Sequence, residues 1–190
     1  METKNIMIVG VGGQGTLLTS RILGGIIKAG GFDVKLSEVH GMAQRGGSVV
    51  TFVRYGDKVY EPIVEEGQAD VLIAFERLEA LRYAHFLKKD GVMIVNDLRM
   101  DPMPVSIGAA QYPENIIENL KKKHQVISLD AQALAKEIGN ARVFNTIIIG
   151  VAAKRMDFAK EDWLKVIEET VPQKTIEINT RAFEAGYALG

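Results

Sequence analysis

The chain has 190 residues, 47% of them hydrophobic and 25% charged, with a formal net charge of −1. That is the make-up of a soluble globular protein able to bury one substantial core, without the cationic surface that nucleic-acid binding requires. It contains no cysteine, which excludes disulfides, a thiol nucleophile and any cysteine-ligated iron–sulfur or zinc site within the chain.

The start, Met1-Glu2-Thr3-Lys4, leads into the strand Ile6-Met7-Ile8-Val9. No cleavable signal and no apolar run of membrane-spanning length is present, so a cytoplasmic protein without a membrane partner is expected. The strand runs into Gly10-Val11-Gly12-Gly13-Gln14-Gly15, with glycines at the G-x-G-x-x-G spacing. A strand, a glycine turn and a helix N-terminus bring backbone N–H groups up to a phosphate in many α/β proteins. The same spacing also serves a tight turn with close packing, so both readings stand.

Leu17, Leu18, Ile22, Leu23, Ile26 and Ile27 recur at helical spacing, and Gly30-Gly31 stops the helix. Val34 to Glu38 follows as a strand, and the βαβ unit predicts a right-handed crossover between parallel strands. Gly41 to Gly47 has neither period and reads as a loop. Val49 to Tyr55 and Lys58 to Glu61 flank Gly56-Asp57 and predict an inserted hairpin, with Thr51, Val53 and Tyr55 on one face.

Ala69 to Phe75 is an apolar run suited to a strand covered on both faces. A helix is expected next, burying Leu78, Leu81, Ala84, Phe86 and Leu87, then a turn at Lys89-Asp90-Gly91 and a strand at Val92 to Val95. Asp101-Pro102-Met103-Pro104 should interrupt regular structure, because neither proline donates to a ladder and each restricts the residue before it. Ile116 to Lys123 reads as a helix with a solvated basic end, and Gln125 to Leu129 as a strand. Asp130 caps a helix that Gly139 ends. Helices are expected at Phe144 to Lys154, at Lys160 to Thr170 with a Trp163, Val166 and Ile167 stripe, and at Thr175 to Ala188. The whole is one three-layer α/β domain, residues 1–190, Rossmann-like, with a mainly parallel sheet, an inserted β-hairpin and a helical C-terminal region.

The residues that could carry chemistry cluster after the first two strands, where open parallel sheets form their ligand crevice. Glu38 stands near the position of the acid that holds ribose hydroxyls in dinucleotide sites. The dense loop His40-Gly41-Met42-Ala43-Gln44-Arg45-Gly46-Gly47-Ser48 is not called for by that simple pattern. Arg45 offers a planar fork to a phosphate, a carboxylate or a partner backbone, with Gln44 beside it, or it pins the loop. His40 is a weak general-base candidate, since it has no carboxylate partner in sequence. Glu76 either lines the crevice or serves as a first-turn acid of a helix. His40, His85 and His124 share no metal-ligand spacing, so no metal site is expected.

Read together, Gly10 to Gly15 and Ser37-Glu38-Val39-His40-Gly41-Met42-Ala43-Gln44-Arg45-Gly46-Gly47-Ser48-Val49 resemble the gamma subunit or domain of the 2-oxoacid:ferredoxin oxidoreductases. The chain is most similar to the beta subunit of the indolepyruvate enzymes of that family. The similarity continues through Gly67 to Leu72, Leu78 to Tyr83, Gly139-Asn140 and Arg181 to Tyr187. The resemblance implies oxidative decarboxylation of an aryl 2-oxoacid with coenzyme A, giving acyl-CoA, carbon dioxide and reduced ferredoxin. It places thiamine diphosphate, magnesium and iron–sulfur clusters on a larger alpha subunit, since this chain lacks cysteine and a G-D-G thiamine pattern. It makes Gly10, Gly12, Gly13, Gln14, Gly15 and Arg45 the candidates for holding coenzyme A, with Arg45, Gln44 and His40 as the catalytic candidates. An autonomous NAD(P)-dependent dehydrogenase and a non-catalytic nucleotide-binding scaffold are the alternatives.

Overall fold

The computed structural model describes residues 2–41 and 46–190. Its centre is β1 (Lys4–Val11), buried from Asn5 onward as a strand covered on both faces must be. Along the chain follow α1 (Thr16–Ala29), β2 (Asp33–His40), β3 (Ser48–Gly56), β4 (Ala69–Ala74), α2 (Arg77–Tyr83), β5 (Leu87–Asn96), the short α3 (Met103–Ser106), α4 (Ile116–Lys121) and β6 (Gln125–Leu129). Then come α5 (Ala131–Ile138), α6 (Phe144–Ala153), α7 (Lys160–Thr170) and α8 (Ile176–Leu189). The six strands lie in the order β2-β3-β1-β4-β5-β6. β1, β4, β5 and β6 are parallel neighbours, and β3 runs antiparallel to both β1 and β2.

Alternation along the strands sends Ile6, Ile8, Ile73 and Ile94 to one core, under α1 and the C-terminal helices. Met7, Val9, Leu72 and Met93 go to the other, under α2 and α4. The sheet is therefore sandwiched, as the three-layer expectation required. Within the first core α6 is buried all round from Asn145 to Ala153, and α7 buries Trp163, Val166 and Ile167 as its stripe predicts. Asp130 caps α5 by accepting from Ala133 N at 2.9 Å, and Gly139 ends it at a left-handed φ of 109°.

Four expectations are corrected. The hairpin across Gly56-Asp57 does not form, because both edges of β3 are already occupied by β1 and β2; the antiparallel ribbon is β2 with β3, joined through 41–47. Beyond Gly56 the chain is pinned irregularly, Val59 N donating to Asp33 and Arg54 reaching Glu61 and the carbonyl of Ile63. β1 and β2 share a direction as the βαβ unit predicts, but β3 lies between them. The helix expected through Leu87 ends at Tyr83, a 3-10 turn takes Ala84–Phe86, and Lys89-Asp90-Gly91 lies inside β5 at a register shift. Lastly, Met103–Ser106 is a turn of helix, which tolerates Pro104 because its first N–H groups need no partner.

Two apolar residues of the predicted stripes also face outward. Leu17 is 52% exposed on α1 and Leu81 is 38% exposed on α2, where Glu79 and Ala80 take the buried positions instead.

Candidate functional site

The glycine turn stands at the C-terminal end of β1. Gly13 and Gly15 hold φ of +98° and +86°, left-handed values that other residues adopt only under strain. Gly10 is needed for proximity, since a Cβ there would lie 2.8 Å from Gln14 Oε1 and 3.1 Å from the Phe75 side chain. Gln14 is buried and turned inward: its Oε1 accepts from Val11 N at 2.7 Å, and its Nε2 donates to Phe75 O and to Met100 Sδ, each at 3.2 Å. Its side chain braces the turn from behind. No side chain caps the start of α1, and its first turn contains no acid.

Gly12 N donates to Gly47 O at 2.8 Å, fastening the turn to the end of the 41–47 loop. The result is a cleft of about 430 Å³ lined by Gly12, Gly13, Gly15, Thr16, Leu17, Glu38, His40 and Val49. The fold thus brings His40 and Glu38 to the glycine turn. Glu38 Oε2 accepts from Thr51 Oγ1 at 3.3 Å, and exposed His40 has Nδ1 3.4 Å from the carbonyl of Gly41. In a dinucleotide site the acid stands on the strand next to β1; here β3 intervenes and moves β2 to about 10 Å from β1. Gln44 and Arg45 lie outside the described residues.

The far end of the loop is anchored from α2. Ser48 Oγ donates to Glu79 Oε2 at 2.5 Å and lies 3.3 Å from Tyr83 Oη, while Arg82 Nε approaches Glu79 Oε1 at 3.5 Å. Burial pushes the Glu79 carboxyl above the usual carboxylate range, nearby Glu76 pushes it the same way, and Ser48 and Arg82 oppose them. Glu76 itself is buried as the N-cap of α2. It accepts from Glu79 N at 3.0 Å, from Met100 N at 3.1 Å and from Tyr112 Oη, so it ties the segment after β5 to the end of β4. It is thus both the helix-end acid and part of a small second cleft, with Ser48, Glu79 and Met100.

A wider cleft, about 960 Å³, opens beyond β5 between Arg77, Arg99, Tyr112 and Lys121. Its arginines are already engaged, Arg77 with Asp97 and Arg99 with Asp101 at 2.6 Å. Among the described residues no cluster of three or more His, Asp or Glu could hold a metal ion. None of their helices is long and apolar enough to cross a membrane.

One residue of the site carries no signal in the sequence beyond a polar pair opening an apolar helix. Asn145, the second residue of α6, is 5% exposed, and its Nδ2 lies 2.5 Å from where a Cβ on Gly15 would stand.

An open, Rossmann-like sheet with a glycine turn at the carboxyl end of its central strand defines a class of α/β proteins built to hold a ligand at that edge. Within it, the chain belongs to the pyruvate ferredoxin/flavodoxin oxidoreductase family, whose model matches residues 5–189. It is 42% identical to indolepyruvate oxidoreductase subunit IorB of Thermococcus kodakarensis over 194 residues, covering 98% of this chain and 95% of that one. The pyruvate oxidoreductase subunit PORC of Thermotoga maritima has the same fold, with a TM-score of 0.74 at 23% identity over 99% of this chain and 97% of that one. A third likeness is to a 2-oxoglutarate:ferredoxin oxidoreductase from Magnetococcus marinus with 2-oxoglutarate, coenzyme A and succinyl-CoA bound. There the TM-score is 0.76 at 18% identity, and all of this chain spans 31% of the longer one.

Proposed function

We propose that this chain is the subunit without clusters of a heteromeric 2-oxoacid:ferredoxin oxidoreductase that converts indolepyruvate, or another aryl pyruvate, with coenzyme A into acyl-CoA and carbon dioxide. The observation that carries the reading is the near full-length likeness to the Thermococcus IorB subunit, joined to a glycine turn that opens at the sheet edge. Residues 1–190 act as one gamma-type domain in the cytoplasm, beside a larger alpha subunit and, through the complex, ferredoxin.

The residues present do not fit a thiamine diphosphate, magnesium or iron–sulfur centre. There is no cysteine in the chain, and no acidic or histidine cluster among the described residues. Those groups belong to the alpha subunit in this reading, and no chemical step is assigned to them here. What this chain supplies is position: a phosphate of coenzyme A rests against the glycine turn and the N-terminus of α1, with Gly10, Gly12 and Gln14 holding the turn in shape. Arg45 adds a cation in this reading, Gln44 and His40 are the other catalytic candidates, and His40 lines the cleft. The Magnetococcus enzyme, which shares this fold over 31% of its chain, has coenzyme A bound, in keeping with a coenzyme A-dependent complex.

The test is Leu17→Asp in the complex with the alpha subunit. Leu17 is half exposed at the start of α1, where an added carboxylate favours the helix and repels a bound anion. The melting temperature should hold, while the Michaelis constant for coenzyme A rises about tenfold, the equivalent of roughly 1.4 kcal/mol. Unchanged coenzyme A kinetics would remove the glycine turn from the reaction. Oxoacid turnover by the isolated chain would remove the subunit reading altogether.

A further inference from the structure

α2 contains two leucines, yet beside Ala80 it turns a carboxylate inward: Glu79 is 4% exposed while Leu81 is 38% exposed. Burial and the neighbouring Glu76 both push the Glu79 carboxyl up, so an apolar side chain of similar size would suit the place better. A buried group that a fold keeps against its own stability calls for a role that stability does not supply. The contacts of Glu79 indicate that role.

Its two oxygens are committed in different directions. Oε1 meets Arg82 of the same helix at 3.5 Å, while Oε2 accepts from Ser48 Oγ, 31 positions away in sequence, at 2.5 Å. Tyr83 Oη lies 3.3 Å from the same hydroxyl. Ser48 is the first residue of β3 and stands opposite Val11, the last of β1, so the ladder between the two strands ends at that pair. Pairing frays first at its ends. Beyond it the only further link between the two segments, among the described residues, is the bond from Gly12 N to Gly47 O at 2.8 Å, and the chain enters it through Gly46 at a left-handed φ of +80°.

α2 packs on the core that holds Val50 and Phe52, whereas the cleft at the glycine turn opens beside α1, on the other core's side of the sheet. We propose that Glu79 is a positioning residue for the glycine turn: by holding Ser48 it fixes Gly47, and through the carbonyl of Gly47 it sets where Gly12 stands at the mouth of the cleft. The proposal rests on the reading of that turn as the seat of a coenzyme A phosphate, and it gives the seat a support on the opposite face of the sheet, out of contact with the ligand. Gln14 braces the turn from behind, and the Glu79–Ser48 bond holds it from the side.

Glu79→Leu removes the acceptor, Ser48→Ala removes the donor, and Glu79→Gln keeps an acceptor without the charge. These three and the double variant Glu79→Leu/Ser48→Ala are measured in the complex with the alpha subunit, by steady-state kinetics in coenzyme A, alongside Leu17→Asp. The expected result is a Michaelis constant for coenzyme A raised about three- to tenfold in Glu79→Leu and in Ser48→Ala, the range for losing one hydrogen bond, with kcat held within about twofold. Glu79→Gln should stay within about twofold of the parent, and the double variant should be no worse than the poorer single one, because both act through the same bond. Additive losses in the double variant, or a Glu79→Gln as impaired as Glu79→Leu, would overturn the positioning role. So would parental Michaelis constants in Glu79→Leu and Ser48→Ala with Leu17→Asp raised, whatever happens to the melting temperature, and that outcome leaves the glycine-turn reading intact. Parental values throughout, Leu17→Asp included, overturn both, and Ser48→Ala decides the matter should Glu79→Leu fail to assemble.

Discussion

Gly150 of α6 and Gly186 of α8 meet where the two helices cross, with backbone in place of side chains between them. A Cβ on Gly150 would lie 2.2 Å from the carbonyl oxygen of Phe183 and 3.0 Å from the carbonyl carbon of Gly186, and one on Gly186 would lie 1.8 Å from the carbonyl oxygen of Ile147. No side chain can be accommodated at such distances without driving the helices apart. Gly186→Ala should therefore destabilise the protein by about 3 kcal/mol or more, an overpacking cost at its upper end. Thermal unfolding would register this as a fall of roughly 6–12 °C for a chain of this size.

Glu79 ties stability to pH. Its carboxyl is buried and its pKa is raised in the folded chain, first by burial and then by Glu76. A raised folded pKa means that the group's favourable contribution is complete below the unfolded pKa and is lost as pH rises through the folded one. Glu79→Gln keeps an acceptor for Ser48 Oγ and never ionises. Its melting temperature should exceed that of the parent at neutral pH, and the gain should shrink as pH falls through the carboxylate range. A gain that persisted at acid pH would show that charge is not the cause.

Gln14 holds the back of the glycine turn through Val11 N and Phe75 O. Gln14→Leu has a similar size but leaves the buried Val11 N–H without an acceptor, while Phe75 O keeps its bond from Asn96 Nδ2. The expected loss is about 2 kcal/mol or more in denaturant unfolding, set by the cost of unsatisfied buried polar groups.

Asp130 donates nothing and accepts from Ala133 N at the start of α5, which is the whole of its helix-capping role. Asp130→Ala should cost about 1 kcal/mol, the usual value for a lost cap, with the far-UV circular dichroism of the folded protein preserved.

Trp163 is fully buried between Phe158 and Phe183. Its emission should be shielded from iodide in the folded protein and should become quenchable in the same transition in which α7 leaves α1. A tryptophan quenched under native conditions would contradict the packing of the C-terminal helices.

The sequence by itself determined what neighbours in the chain can enforce. The apolar run into Gly10–Gly15 made β1 and the start of α1, Asp130 and Gly139 bounded α5, and the Trp163 stripe marked the buried side of α7, because capping, left-handed glycines and periodicity act within a few residues. Tertiary structure alone decided who pairs with whom. That neither edge of β3 was free, that β3 should part β1 from β2, and that Glu79 rather than Leu81 should face inward all depended on contacts far apart in sequence. The site divides the same way: the glycine turn can be read locally, whereas Asn145 reaches Gly15 from 130 positions further along, through helix packing that no local pattern encodes.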